Sequence, residues 1–83
     1  MTPTEQAVTE IWAEILRRDR VGLEEDFFAL GGDSLMAVRM AMKVFERLGV
    51  EPPLGQLTEN RTARAFARSI DELVTGEEEE GAI

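Results

Sequence analysis

The residues best suited to chemistry lie together in one short segment, Gly31-Gly32-Asp33-Ser34, directly ahead of an apolar-periodic stretch. The two glycines leave space beside the serine hydroxyl, because they carry no side chains. The N–H groups in the first turn of a helix, together with the helix dipole, favour a negative charge at that point. The segment therefore predicts a place for an anion such as a phosphate ester on Ser34. The alternative is that Asp33 or Ser34 only caps the helix.

The composition removes the usual ways of activating a serine. The 83-residue chain has no histidine and no cysteine. A Ser-His pair, a Cys/His zinc site and a disulfide framework are therefore excluded. The string Gly32-Asp33-Ser34-Leu35 matches the GDSL signature of serine esterases, but those enzymes need a histidine, so we interpret the match as coincidental. We expect no enzymatic activity, and any thiol must come from another molecule.

The charge balance restricts the partners. Seventeen acidic residues against nine basic ones give a formal charge of −8. Nucleic-acid binding draws its affinity from clustered Lys and Arg, so we expect no nucleic-acid partner. Apolar runs stay well short of the ~18 residues of a membrane span, and the N-terminal residues lack a signal-peptide pattern. We therefore expect a cytoplasmic monomer with no membrane contact.

The length allows one domain with a modest core. We place this domain at residues 1–75 and predict a disordered acidic tail at residues 76–83, where Gly76 precedes Glu77 to Glu80. Without these four glutamates, 13 acidic residues face 9 basic ones and the formal charge is −4. The folded body is therefore only mildly acidic.

The periodicity predicts an all-α fold, a small four-helix bundle of three main helices and a short third one. Thr2, Pro3 and Glu5 form a capping box that starts the first helix. Its apolar face consists of Ala7, Val8, Ile11, Trp12, Ile15 and Leu16. The second helix is predicted at residues 34–48, a short helical turn at 54–57 and the last helix at 62–74. A long loop at residues 19–33 joins the first two helices and carries Phe27, Phe28 and Leu30, which we expect to hold it against the core.

The second helix carries two apolar stripes. The predicted core face consists of Ala37, Met40, Ala41, Val44, Phe45 and Leu48. A separate stripe of Leu35, Val38 and Met42, with Met36 beside it, suggests a docking surface for partner proteins. The alternative is that the Phe27-Phe28 loop covers Leu35 and Val38. A basic line of Arg39, Lys43 and Arg47 is interpreted as a solvated face paired with neighbouring acids.

The run from Phe27 to Leu35, FFALGGDSL, follows a Trp-containing first helix and precedes an amphipathic one. Over roughly the first 50 residues the chain thereby resembles the phosphopantetheine-dependent carrier proteins, in particular the peptidyl carrier proteins of nonribosomal peptide synthesis. The second half departs from that family: Thr58 and the Arg61-Thr62 pair stand where a phenylalanine and Pro-Thr are common, and Gly55 thins the third helix. The paired glycines favour a peptidyl carrier over a fatty-acid carrier.

The resemblance implies that Ser34, in the attachment segment with Asp33, Gly32 and Gly31, receives 4′-phosphopantetheine from coenzyme A through a phosphopantetheinyl transferase. The arm then holds an aminoacyl or acyl group as a thioester. The implied further partners are an adenylation enzyme and condensation, tailoring or thioesterase enzymes. We expect a free-standing carrier, and the alternative is an excised module of a larger synthetase. The competing hypothesis is a small acidic helical interaction protein in which Ser34 is only a cap.

Overall fold

In the computed structural model the chain forms four α-helices, α1 (Pro3–Leu16), α2 (Ser34–Leu48), α3 (Gly55–Glu59) and α4 (Ala63–Ala82). The structure describes residues 1–52 and 55–82, and it describes side chains throughout these ranges except at 56 and 75–82. Within them the β-type pairing is limited to an isolated antiparallel bridge between Asp26 and Thr62. The predicted all-α fold with a short third helix is confirmed.

The predicted starts of α1 and α2 are confirmed by their caps, whereas α4 begins at Ala63, one residue after its predicted start, and Leu54, the predicted start of the third helix, lies outside the described residues. The Thr2 hydroxyl accepts the Glu5 N–H at 3.0 Å, and the Glu5 carboxylate accepts the Thr2 N–H at 2.9 Å, which completes the capping box. The α2 helix begins after Asp33, which is its N-cap, and ends at Gly49, whose φ is 71°. Sequence and structure therefore agree on both ends of the helix that begins at Ser34.

The core lies between α1 and the two helices that pack on it, α2 and α4. Its largest fully buried side chains are Trp12, Phe27, Phe66, Met40, Leu57, Ile70, Val8 and Val44. The Trp12 ring meets Phe27 edge-on at 5.1 Å between centroids and lies 5.9 Å from Phe66. This aromatic cluster joins the loop before α2 to α1 and α4, and it confirms Trp12 as a core residue.

Ion pairs connect α1 to α2. Lys43 Nζ lies 3.3 Å from a Glu14 carboxylate oxygen, and Arg47 pairs with Glu10. The hydrogen bond from Arg47 lowers the pKa of Glu10 below its ordinary value. Two residues of the predicted basic line are therefore paired with neighbouring acids, as expected.

Two predictions about the helices need correction. Phe45, predicted in the core, has 54% of its surface exposed. It lies seven residues from Val38, which at 100° per residue puts the two side chains about 20° apart on the same side of α2.

The α4 helix also continues to Ala82, past the predicted end at residue 74. A glycine inside a helix costs only about 1 kcal/mol relative to alanine, so Gly76 alone does not end it.

The division into a domain at 1–75 and a disordered tail at 76–83 stays a prediction. Side chains at 75–82, and the whole of residue 83, lie outside the described residues. Among the helices that are described, none has the length and apolar character needed to cross a membrane.

Candidate functional site

Ser34 is the first residue of α2, and its side chain is exposed. The Asp33 carboxylate accepts the Met36 N–H at 2.9 Å, and the Asp33 carbonyl accepts the Ala37 N–H at 2.9 Å. The first turn of a helix leaves its N–H groups without intrahelical acceptors, so those of Ser34 and Leu35 remain at the positive end of the helix dipole. Asp33 thus caps the helix while the Ser34 hydroxyl faces solvent.

The two glycines before Ser34 are required for different reasons. Gly31 has a φ of +101°, a backbone conformation that L side chains rarely adopt. At Gly32, a Cβ would lie 2.3 Å from a ring carbon of Phe27 and 2.7 Å from the Phe27 carbonyl oxygen. Only the missing side chain lets the Gly32 N–H reach that carbonyl, at 3.0 Å. The turn that presents Ser34 is therefore packed directly against the core.

Asp26 organises the loop that leads to Ser34. Its carboxylate accepts the Phe28 N–H at 2.8 Å and the Ala29 N–H at 3.0 Å, and it pairs with Arg61 at 2.9 Å. The N–H of Ala29 is the main group that lowers the pKa of Asp26, and the Phe28 N–H and the Arg61 charge act in the same direction. The guanidinium of Arg61 also lies over the Phe28 ring, 5.1 Å from its centroid.

Backbone and side-chain bonds tie the same loop to α1 and α4. The Arg18 guanidinium donates to the Leu30 carbonyl at 3.1 Å. The Phe27 N–H donates to the Arg61 carbonyl, and the Arg64 N–H donates to the Leu23 carbonyl, both at 2.9 Å. Phe28 and Leu30 are half-buried against the core. This packing agrees with the prediction that Phe27, Phe28 and Leu30 hold the loop against the core.

The lowered pKa of Asp26 gives the fold a defined acid sensitivity. In the unfolded chain the Asp26 carboxyl has a pKa of about 3.9, so the ionised carboxylate stabilises the fold above that pH. This stabilisation is lost as the pH falls through the lower folded-state pKa. We expect the thermal midpoint to fall between about pH 5 and about pH 2, and we expect Asp26→Asn to flatten this dependence, because asparagine can accept the same N–H groups without titrating.

Thermal unfolding followed by circular dichroism across this pH range tests the role of Asp26. The pKa of Glu10 is also lowered in the folded protein. The thermal midpoint of Asp26→Asn should therefore still fall somewhat as the pH is lowered. Equal slopes for the wild type and Asp26→Asn would contradict the assignment of the acid sensitivity to this loop.

An exposed apolar stripe begins one residue after Ser34. Leu35 is 61% exposed, Val38 41% and Met42 60%, so the Phe27-Phe28 loop does not cover them. Met36 is half-buried and packs against the core, which leaves less of it available to a partner. Phe45, which the periodicity predicts in the core, instead extends the stripe by another turn. Its seven-residue spacing from Val38 was the signal that could have found it.

The chain resembles known proteins over most of its length. A family described as "Phosphopantetheine attachment site" matches residues 6–70. Indigoidine synthase of Streptomyces lavendulae is 37% identical over 76 residues, which are 92% of this chain and 6% of that synthase. Malpibaldin synthetase of Mortierella alpina is 42% identical over 79 residues, which are 95% of this chain and 1% of the synthetase. The chain thus spans only a small part of the curated relatives it matches.

Solved structures of whole carrier domains also match this chain, among them the following two. BlmI, a type-II acyl-carrier-protein from Streptomyces verticillus involved in bleomycin biosynthesis, is 37% identical with a TM-score of 0.81, and 86% of each chain is covered. A chain in the structure of the phosphopantetheine transferase Sfp in complex with coenzyme A and a peptidyl carrier protein is 30% identical, with a TM-score of 0.82. That match covers 87% of this chain and 94% of the other.

Proposed function

Since the chain belongs to the family of phosphopantetheine carrier domains, whose cofactor is covalent 4′-phosphopantetheine, we propose that Ser34 is its attachment residue. The observation that carries the proposal is the exposed Ser34 hydroxyl at the start of α2, behind a turn in which a Cβ on Gly32 would collide with Phe27. Gly31 supplies the positive φ of this turn, Gly32 packs against Phe27, and Asp33 fixes the start of the helix.

The site fits a phosphodiester on Ser34. A negative charge at a helix N-terminus is favoured by about 0.3–1 kcal/mol, and the N–H groups of Ser34 and Leu35 lie there without intrahelical acceptors. When bound, the arm supplies a terminal thiol that can carry an acyl group, which this cysteine-free chain otherwise lacks. The chain itself acts as a carrier and as the substrate of a separate transferase.

The attachment reaction requires little of this chain. The Ser34 hydroxyl gives its proton to a base on the transferase and displaces adenosine 3′,5′-bisphosphate from coenzyme A, so that a phosphodiester forms at Oγ. We place this base on the transferase, because the chain has no histidine and the neighbouring Asp33 carboxylate accepts the Met36 N–H. Exposure and position are therefore the properties that Ser34 contributes.

Intact-mass spectrometry tests the proposal. The protein is incubated with coenzyme A, magnesium and a broad-specificity phosphopantetheinyl transferase, and then weighed. We expect a gain of one phosphopantetheine. A folded protein that gains no mass would contradict the proposal and favour an interaction protein in which the Asp33-Ser34 pair is only a cap.

We further propose that partner enzymes dock on the exposed stripe beside Ser34. An adenylation enzyme would load the arm, and condensation, tailoring or thioesterase enzymes would act on the cargo. Leu35, Val38 and Met42 supply the apolar contacts, with Met36 at their edge. Tethering raises the effective concentration of the cargo to roughly millimolar near a docked enzyme, so docking can stay weak and exchange fast.

Replacing Met42 with glutamate tests this docking surface. We expect loading by the transferase or a cognate adenylation enzyme to slow by about five- to thirtyfold, the change that follows from losing roughly 1–2 kcal/mol of docking free energy. The stripe loses an apolar contact and gains a charge, whereas the exposed side chain contributes little to folding. Single-turnover loading of the wild type and the variant measures the effect.

Gln6→Glu is the control, because Gln6 is also exposed and gains the same charge, but it lies at the end of α1 opposite to Arg18 and the Ser34 turn. We expect it to load at the wild-type rate. Equal slowing in both variants, or no slowing in Met42→Glu, would contradict docking on the stripe. The free-standing state, the monomeric state and the cytoplasmic location stay predictions.

A further inference from the structure

Arg61 contacts the loop before α2 in three ways. It lies between α3 and α4, far from Ser34 in the sequence. Its carbonyl accepts the Phe27 N–H at 2.9 Å, its Nε lies 2.9 Å from an Asp26 carboxylate oxygen, and its guanidinium lies 5.1 Å from the centroid of the Phe28 ring. Three consecutive loop residues are therefore held by one residue from another part of the chain.

The ion pair with Arg61 leaves one oxygen of Asp26 for the loop backbone. The Arg61 Nε contacts Oδ2 of Asp26, whereas Oδ1 accepts the N–H groups of Phe28 and Ala29 at 2.8 and 3.0 Å. Because a carboxylate is planar, a charged partner on one oxygen also fixes the direction of the other. Arg61 therefore orients the acceptor on which the backbone at residues 28 and 29 depends.

The three residues that Arg61 contacts also hold the turn that leads to Ser34. The carbonyls of residues 26, 27 and 28 accept, at 3.0–3.1 Å, the N–H groups of Leu30, Gly32 and Gly31 respectively. The Phe27 ring occupies the space beside Gly32 where a Cβ would lie. Since Ser34 follows Gly32 by two residues, the position of its hydroxyl depends on these contacts.

We propose that Arg61 is a positioning residue for the attachment reaction, because it holds the loop in the conformation in which a transferase recognises Ser34. The proposal rests on the assignment of Ser34 as the attachment residue. A protein that is binding-competent for only a fraction of the time binds its partner more weakly by that fraction. The Arg61 side chain raises this fraction through an ion pair and a cation–π contact, without contacting Ser34 or the transferase.

Arg61→Gln and Arg64→Gln form a matched pair that tests the proposal. Both arginine side chains are about half exposed, both pair with an acidic residue of the loop, and both substitutions remove one positive charge. Arg64 pairs with Glu24 at 2.7 Å, ahead of the residues that hold the turn. The change at Arg64 therefore removes an ion pair from the same loop and leaves the contacts of Asp26 and Phe28 in place.

Two measurements follow the effect of each substitution. Amide hydrogen exchange by NMR at Gly31 and Gly32 reports how often the turn opens, because both N–H groups donate to loop carbonyls. Steady-state loading by a broad-specificity phosphopantetheinyl transferase gives the KM and kcat for the carrier. Circular dichroism confirms that each variant is folded under the conditions of both measurements.

We expect Arg61→Gln to speed exchange at both glycines by about three- to thirtyfold, the range that corresponds to losing an exposed ion pair and a cation–π contact. The KM for the carrier should rise by about two- to tenfold, less than the exchange rate, because the wild-type loop is mostly in the competent conformation. The kcat should stay unchanged, since a docked loop is already in place. Arg64→Gln should match the wild type in exchange at both glycines and in KM.

The results separate this proposal from its premise. If the wild type loads and Arg61→Gln has the wild-type KM, the positioning role is overturned and Ser34 stands as the attachment residue. A raised KM without faster exchange at Gly31 and Gly32 also overturns it, because Arg61 would then contact the transferase directly. Equal effects of the two substitutions overturn it as well, since the loss of any loop ion pair would suffice. A wild type that takes no arm overturns the premise and the proposal together.

Discussion

Ser34→Ala is expected to abolish phosphopantetheinylation while leaving the protein folded. Ser34 provides the hydroxyl at the start of α2, but the cap of that helix is Asp33, whose carboxylate accepts the Met36 N–H. Alanine is the best helix former and the position is exposed, so the stability should change by no more than about 0.5 kcal/mol. Intact mass after incubation with the transferase, alongside circular dichroism, measures both effects.

The only other serine provides a matched control. Ser69 is 7% exposed, and its hydroxyl donates to the Phe66 carbonyl at 2.7 Å inside α4. Ser69→Ala should therefore load as completely as the wild type. If Ser34→Ala still gained a phosphopantetheine, Ser34 would not be the attachment residue.

Phe27→Ala is expected to destabilise the protein by about 3–5 kcal/mol, the usual loss for a buried phenylalanine. The Phe27 ring is fully buried, meets Trp12 and Phe28 edge-on, and lies where a Cβ on Gly32 would be. Since a single core of this size supplies roughly 3–5 kcal/mol, the variant should be largely unfolded at room temperature. Urea unfolding followed by circular dichroism measures the change.

Phe45→Ala makes the same chemical change at an exposed position of α2. We expect it to alter stability by no more than about 0.5 kcal/mol. Phe27→Leu, which keeps most of the apolar volume, should remain folded and give a measurable intermediate value. If Phe27→Ala unfolded at the same urea concentration as the wild type, the ring would not anchor the loop.

The helix starts could be predicted from sequence because local chemistry determines them. Thr2 and Glu5 satisfy each other's N–H groups, and Asp33 and Gly49 fix the two ends of α2. The attachment segment was predictable for the same reason, since Gly31 and Gly32 lie next to Ser34 in the chain. The Ser34 assignment itself stays a proposal until the modified residue is measured.

Other features depended on contacts between residues distant in the chain. Asp26 pairs with Arg61, and Glu24 pairs with Arg64 at 2.7 Å, across separations that leave no periodic pattern in the sequence. The exposure of Phe45 could not be predicted from periodicity, because Phe45 lies between the two apolar stripes of α2, about 40° from Ala41 and about 20° from Val38. Phe45 and Pro52 also line one groove on the surface, and the position of Pro52 relative to α2 follows from the turn after Gly49 and not from helix periodicity.

Peptide-level mass spectrometry of the loaded protein tests the central claim most directly. Trypsin cleavage after Arg20 and Arg39 releases residues 21–39, a peptide whose only hydroxyl side chain is Ser34, whereas Ser69 falls in the C-terminal peptide 69–83. We predict that one phosphopantetheine is found on peptide 21–39, with fragment ions that place it on Ser34. Added mass on any other peptide, or none on a folded protein, would contradict the account.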